Sequence, residues 1–242
     1  MMDPLIVLIA WVLPYFTVAI FVGGVSFKAG IWLLRPMPVK WALYPAPPAG
    51  SKRLGTILTE IFTLRSHMKG SKRLWGGAIL FHVGLFTSFA LHAFVNIWFA
   101  PIYDPLFRSI GLTANSLQTS AFLIGSAAGI LTLAVVVYPF LLNRVFVREV
   151  RDISSFSDYA ALILLFLTIA LGTYLRLFQI VNPTSLTTYL VSLATLTPVQ
   201  PPSDPAFLLH LLLAQLYLIY FPFSKPMHFI GSLINQKITT TR

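Results

Sequence analysis

RLWGGAILFHVGLFTSFALHAFV, residues 73–95, is an apolar run that carries His82 and His92. FLLHLLLAQLYLIYFPFSKPMHFIG, residues 207–231, is a second, and it carries His210 and His228. Each is long enough to cross a bilayer, which takes about 20 apolar residues. Four of the five histidines lie in these two stretches. An imidazole in hydrocarbon is costly and rare, so a histidine within a span marks a functional position. Two pairs on two spans predict two sites, each bridged by one histidine from each span. The chain has no cysteine, and bis-histidine haem is then the favoured occupant of such a pair.

The rest of the chain agrees with a membrane setting. Of 242 residues, 57% are hydrophobic and only 10% charged, and the mean hydropathy is +0.80. A soluble domain carries about 25% charged residues. Five stretches are long enough to span, at approximately 5–27, 76–99, 118–142, 157–178 and 206–224, and the fifth is expected to stay helical to about 232. The expected fold is an all-α, five-helix membrane bundle forming one domain over residues 1–242 of a multi-pass protein of the cell membrane. The N-terminus lacks a basic region before its apolar run, so the first segment is expected to be a retained span and not a signal peptide.

The net charge of +10 is distributed for topology and not for nucleic acid. Loop 35–75 holds Arg35, Lys40, Lys52, Arg53, Arg65, Lys69, Lys72 and Arg73 against one Glu60. Arg144, Arg148 and Arg151 follow in loop 143–156, and Lys225, Lys237 and Arg242 in the tail. The opposite face has Arg108 and Arg176. Basic loops stay cytoplasmic, so the N-terminus is expected outside and the C-terminus inside. Residues 36–50, PMPVKWALYPAPPAG, should be irregular, and LGTILTEIFTLRSHM (54–68) reads as a short amphipathic helix on the cytoplasmic interface. The outer loops 100–117 and 179–205, rich in Pro, Thr and Ser, are candidates for re-entrant or lid structures. His67, among charges, reads as a solvated surface residue.

Helical geometry sets the depths. His82 and His92 are ten residues apart, which is about 15 Å of rise and leaves the rings about 80° apart. His210 and His228 are eighteen apart, which returns to the same angle but rises about 27 Å. The two spans are antiparallel, so His92 matches His210 in depth and His82 matches His228. Tilt, or a distortion at Pro222 and Pro226, must absorb the difference in rise. Gly76, Gly77, Ala78 and Gly84 leave room for a flat ligand, although close helix packing is the simpler account of small residues in a span. Phe89, Ala214, Tyr217 and Phe221 lie near the histidine directions.

At these residues the sequence resembles the membrane cytochrome b family that includes the respiratory nitrate reductase gamma subunit. The marks are two histidines ten apart in the second span, and a fifth span in which FPFSK (221–225) precedes the last histidine, His228. REVRDISSFSDYAALILLFLTIALGTYLRLF (148–178) is similar to the family's fourth span. Arg176, and Lys225 in place of arginine, lean towards the heterodisulfide-reductase-like and sulfite-reductase-associated branch. The resemblance implies that His82 and His228 ligate a cytoplasmic-side haem b, and that His92 and His210 ligate an outer one. It also implies exchange of electrons between membrane (mena)quinol or quinone and an iron–sulfur partner of heterodisulfide-reductase, nitrate reductase or hydrogenase type. Such a subunit of a respiratory oxidoreductase would dock its partner on basic loop 35–75.

Arg176 is a candidate partner of a haem propionate, since guanidinium matches a carboxylate bidentately. Lys225, Arg144 and Arg148 are inner candidates for the same role, or topology-setting charges. Tyr103, Asp104, Asn115, Gln118 and Arg176 are outer candidates for hydrogen-bonding a quinone, with ordinary interfacial polarity the simpler account of all but Arg176. Two other readings compete. A proton-coupled transporter would use the histidines as relays, but it predicts inverted repeats, and no repeat is seen. A haem-free anchor subunit is the third.

Overall fold

The computed structural model describes residues 3–34, 55, 58–60, 62–64, 68, 71–95, 105, 108–111, 114–228, 230, 231 and 234. The regular helices are α1 (Pro4–Leu34), α2 (Lys72–Val95), α3 (Ala114–Val135, carried on through Val136–Leu142 and Asn143–Phe146), α4 (Arg148–Asp152), α5 (Phe156–Leu177), α6 (Pro183–Thr195) and α7 (Pro205–Tyr220). Five of them, α1, α2, α3, α5 and α7, are long and apolar enough to cross a membrane. Among the described residues there is no strand.

Three helices begin at an Asp or Asn followed by proline. Asp3 accepts from the Leu5 amide at 2.7 Å, Asn182 from Thr184 at 2.8 Å, and Asp204 from Ala206 and Phe207 at 2.8 and 3.3 Å. Each cap pairs an amide that the first turn leaves without a carbonyl, and the proline that follows has no amide to satisfy. In α5 the cap is Ser155, in a reciprocal box with Asp158.

Packing runs in a row: α2 on α3, α3 on α5, α5 on α7, and α7 on α1. The close approaches are made by small residues. A Cβ at Gly84 would collide with Thr132, and one at Gly129 with Thr173. At Gly77 it would lie 3.1 Å from Pro139. Gly77 and Gly84 therefore serve the α2–α3 seam, where backbones must approach closely. Gly76 meets nothing within 4 Å. Large apolar side chains such as Phe16, Val18, Phe27, Phe86 and Leu123 stay exposed, as a lipid-facing surface requires.

Two prolines widen a helix, and side chains pair the backbone oxygens nearby. Pro14 has no amide to return to the turn before it, and Leu8–Val12 is a π-helical turn. The Ile9 carbonyl accepts from Gln215 Nε2 at 3.0 Å, and the Ala10 carbonyl from Tyr189 Oη at 2.7 Å. In Val136–Leu142, which contains Pro139, the Pro139 carbonyl accepts from Asn143 Nδ2 at 2.8 Å and that of Phe140 from Arg144 at 3.0 Å.

The connection at 179–205 contains a helix, α6, closed by Leu196 at φ 58°. Its Tyr189 is fully buried against Trp11 and Phe207. The fifth span departs from expectation. Regular helix is interrupted after Tyr220, and among the described residues it resumes at His228, Ile230 and Gly231 instead of running unbroken to about 232. Two 3-10 turns, Phe221–Phe223 and Lys225–Met227, follow, with extended Ser224 between them. Pro222 and Pro226 lack the amides that an α-helix needs there. Segment 36–50, His67, Tyr103 and Asp104 lie outside the described residues, as does most of 54–68, whose Leu58, Thr59, Glu60, Phe62 and Thr63 are helical.

Candidate functional site

The two histidine-bearing helices do not pack along each other, since α3 and α5 stand between them in the row. Their side chains nevertheless meet. The His82 and His228 rings lie 6.2 Å apart, centre to centre, at 85° to one another. The break after Tyr220 delivers His228 to this position, so the arithmetic of an unbroken helix does not apply between His210 and His228. Phe81 and Phe86 pack on the His82 ring at 5.3 and 5.9 Å. On the outer side, His92 interacts electrostatically with both His210 and Arg176.

All four imidazoles are held in the same way. His82 Nδ1 lies 2.7 Å from the Ala78 carbonyl, and His92 Nδ1 2.7 Å from that of Ser88. His210 Nδ1 lies 2.9 Å from the Thr168 carbonyl, and His228 Nδ1 3.1 Å from that of Lys225. A carbonyl oxygen only accepts, so Nδ1 is the donor in every ring, and in a neutral ring Nε2 is then the nitrogen with the lone pair. This is the arrangement of metal-ligating histidines, in which the second ring nitrogen donates to a carbonyl and fixes tautomer and orientation. An iron between two imidazoles, with metal–nitrogen bonds of about 2 Å, sets their ring centres roughly 6 Å apart. The His82–His228 pair has that spacing. These residues therefore fit a bis-histidine haem.

Arg176 reaches across to α3 and donates to the Ala121 carbonyl at 2.8 Å. Gly125 makes the room, because a Cβ there would collide with the guanidinium. Lys225 Nζ donates to Asp158 Oδ2 at 2.6 Å. Arg144 has a buried Nε without a partner, and its carbonyl accepts from Tyr159 Oη at 2.7 Å. Arg148 pairs with Asp152 at 3.6 Å in the open. Asn115 and Gln118 fall in the first turns of α3.

Two residues escaped the sequence reading. Gly172 faces His210, and a Cβ there would stand 2.8 Å from the ring's Cε1. Asp158 is the buried acceptor of Lys225, its side chain 6% exposed. The Ser155–Asp158 spacing is a capping-box signal that could have pointed to it. Nothing in the chain marks Gly172 from the other span glycines.

The profile of the nitrate reductase gamma subunit family matches residues 58–235, which include all four histidines, Arg176 and Lys225. The chain is also 28% identical, over 254 aligned positions, to the Hdr-like menaquinol oxidoreductase cytochrome b-like subunit of Archaeoglobus fulgidus. That alignment covers 90% of this chain and 74% of the relative. The relative falls on the Hdr-like side towards which Arg176 and Lys225 lean.

Proposed function

The chain belongs to the nitrate reductase gamma subunit family, and from that membership we propose that it is a dihaem b-type cytochrome, the membrane subunit of a respiratory oxidoreductase. One haem b sits between His82 and His228 near the basic face, and the other between His92 and His210. The subunit passes electrons between menaquinol or another quinone and an iron–sulfur partner subunit docked on the basic loops. The menaquinol part follows the name of the Archaeoglobus fulgidus relative. The observation that carries the reading is a shared contact: four imidazoles, two on α2 and two on the fifth span, each set Nδ1 against a backbone carbonyl, which leaves Nε2 for a metal. Among the described residues no group of three or more His, Asp or Glu side chains converges. Two protein ligands per site match haem, whose ring supplies the rest.

Bound haem supplies one-electron chemistry, and the protein's part is ligation, orientation and dielectric. The carbonyls of Ala78, Ser88, Thr168 and Lys225 hold the imidazoles against rotation and raise their basicity. Apolar side chains such as Phe81, packed on the His82 ring, shield the inner pair. Arg176 meets a propionate at the outer pair, while Lys225, its ammonium on Asp158, serves the inner one through the carbonyl that holds His228. The chain is read as one domain in the cell membrane, N-terminus outside and C-terminus cytoplasmic, with 54–68 on the inner interface and quinone near the outer pair.

The test is haem content and visible spectra of purified single variants. His82→Ala and His228→Ala should lose the same haem, and His92→Ala and His210→Ala the other. A protein that stays colourless in haem-replete cells would favour the transporter or anchor readings instead. Both haems persisting in any one of the four variants would refute the pairing.

A further inference from the structure

We propose that the Asp158–Lys225 ion pair is a positioning device for His228, so that the start of α5 sets the aim of a ligand on α7's broken end; the inference rests on the haem reading above. His228 is the one histidine of the four that lies past a break in its span, at the point where helix resumes after the two 3-10 turns. A ligand carried beyond such a break needs bracing from elsewhere, because the 3-10 turns before it give few backbone bonds to hold it.

The bracing comes from one turn of α5. Tyr220, the last helical residue of α7, accepts from Ser157 Oγ at 2.7 Å and donates to the Ser157 carbonyl at 3.1 Å. Lys225 donates to Asp158 at 2.6 Å. These contacts grip the break on both sides, before Phe221 and after Ser224. The Asp158 carboxylate is itself fixed. Its Oδ2 accepts from the Ser155 amide at 2.8 Å and from Ser155 Oγ at 3.0 Å, at a helix N-terminus where negative charge is favoured.

Lys225 thus does two things at once. Its ammonium is anchored to a carboxylate only 6% exposed, and its carbonyl takes the Nδ1–H of His228 at 3.1 Å. Releasing the side chain frees the turn that presents that carbonyl. An exposed ion pair would do little. This one differs because its acceptor is buried and locked by the cap, and because the lysine backbone is the orienting group.

The test uses the His92→Ala chain, which retains only the His82–His228 centre. In that background Lys225→Met and Asp158→Asn should lower haem content at least fivefold relative to Lys225→Arg, which keeps the charge. The haem that remains should show shifted low-spin EPR g-values, at unchanged yield of folded protein in detergent. Lys225→Met alters a side chain that is 65% exposed, so it keeps the test open if Asp158→Asn does not accumulate. Equal haem content and superimposable EPR spectra for Lys225→Met and Lys225→Arg would overturn the proposal. A His92→Ala chain without any haem would instead overturn the haem reading beneath it.

Discussion

Replacing Gly172 with alanine should empty the proposed outer haem site and leave the proposed inner one filled. The new Cβ would stand 2.8 Å from His210 Cε1 and 3.4 Å from Nδ1. Carbon atoms rest at about 3.5–4.0 Å, so the ring must retreat by about 0.7 Å or more. The His210 Nδ1 bond to the Thr168 carbonyl is 2.9 Å. A retreat of that size stretches it beyond the range of a hydrogen bond. Losing the partner that orients a metal-bound histidine costs about 10–100-fold in affinity, or about 1.4–2.7 kcal/mol. The helix itself should gain, since alanine is about 1 kcal/mol better than glycine in a helix interior. Haem loss is therefore expected without unfolding. Haem per chain, measured as pyridine haemochrome at limiting haem supply, should fall from two towards one. The thermal midpoint of the apoprotein in detergent should hold or rise. Gly76→Ala, with nothing within 4 Å of its Cβ, is the control and should keep both haems. A Gly172→Ala protein with two haems and the parent spectrum would refute the reasoning.

Other outcomes follow from the packing. Gly84→Val would drive side-chain atoms into Thr132 and should cost about 1–3 kcal/mol, as overpacking does, seen as a lower thermal midpoint in detergent. Tyr189→Phe leaves the Ala10 carbonyl without its 2.7 Å partner and should cost about 1–3 kcal/mol while haem content stays unchanged. Burial also raises the Tyr189 phenol above its ordinary range. Above about pH 10 the unfolded chain releases that proton before the folded one does. Stability is therefore flat with pH below that point and declines above it, and Tyr189→Phe should flatten the alkaline decline in pH-dependent melts. The chain has no cysteine, so single cysteines report topology. Arg148→Cys should react with an impermeant maleimide only from the cytoplasmic side, and Ser203→Cys only from outside.

Much of this was legible in the chain because hydrocarbon is a strict solvent. Long apolar runs had to be spans, and histidines inside them had to have a use. The count of five spans followed from run length alone. The distortion at Pro222 and Pro226 was also readable, because a proline cannot continue the amide ladder. Its consequence was not. The same prolines interrupt regular helix after Tyr220, and the orientation of His228 then depends on two tight turns and on contacts from α5. The shared Nδ1 tautomer was hidden too, since Ala78, Ser88, Thr168 and Lys225 act through backbone oxygens that no side-chain pattern announces. Small residues were ambiguous for a related reason. Gly84 and Gly172 look alike in sequence, yet one meets Thr132 and the other the His210 ring. Asp3, Asn182 and Asp204, each before a proline, were plain start signals that would have placed three helix boundaries.

The most direct measurement is the axial ligation of the purified wild-type protein, read by near-infrared magnetic circular dichroism alongside haem stoichiometry. The account predicts two low-spin b haems per chain, each between two imidazoles. A single haem, a high-spin iron with one protein ligand, or protein that carries no iron porphyrin would contradict it.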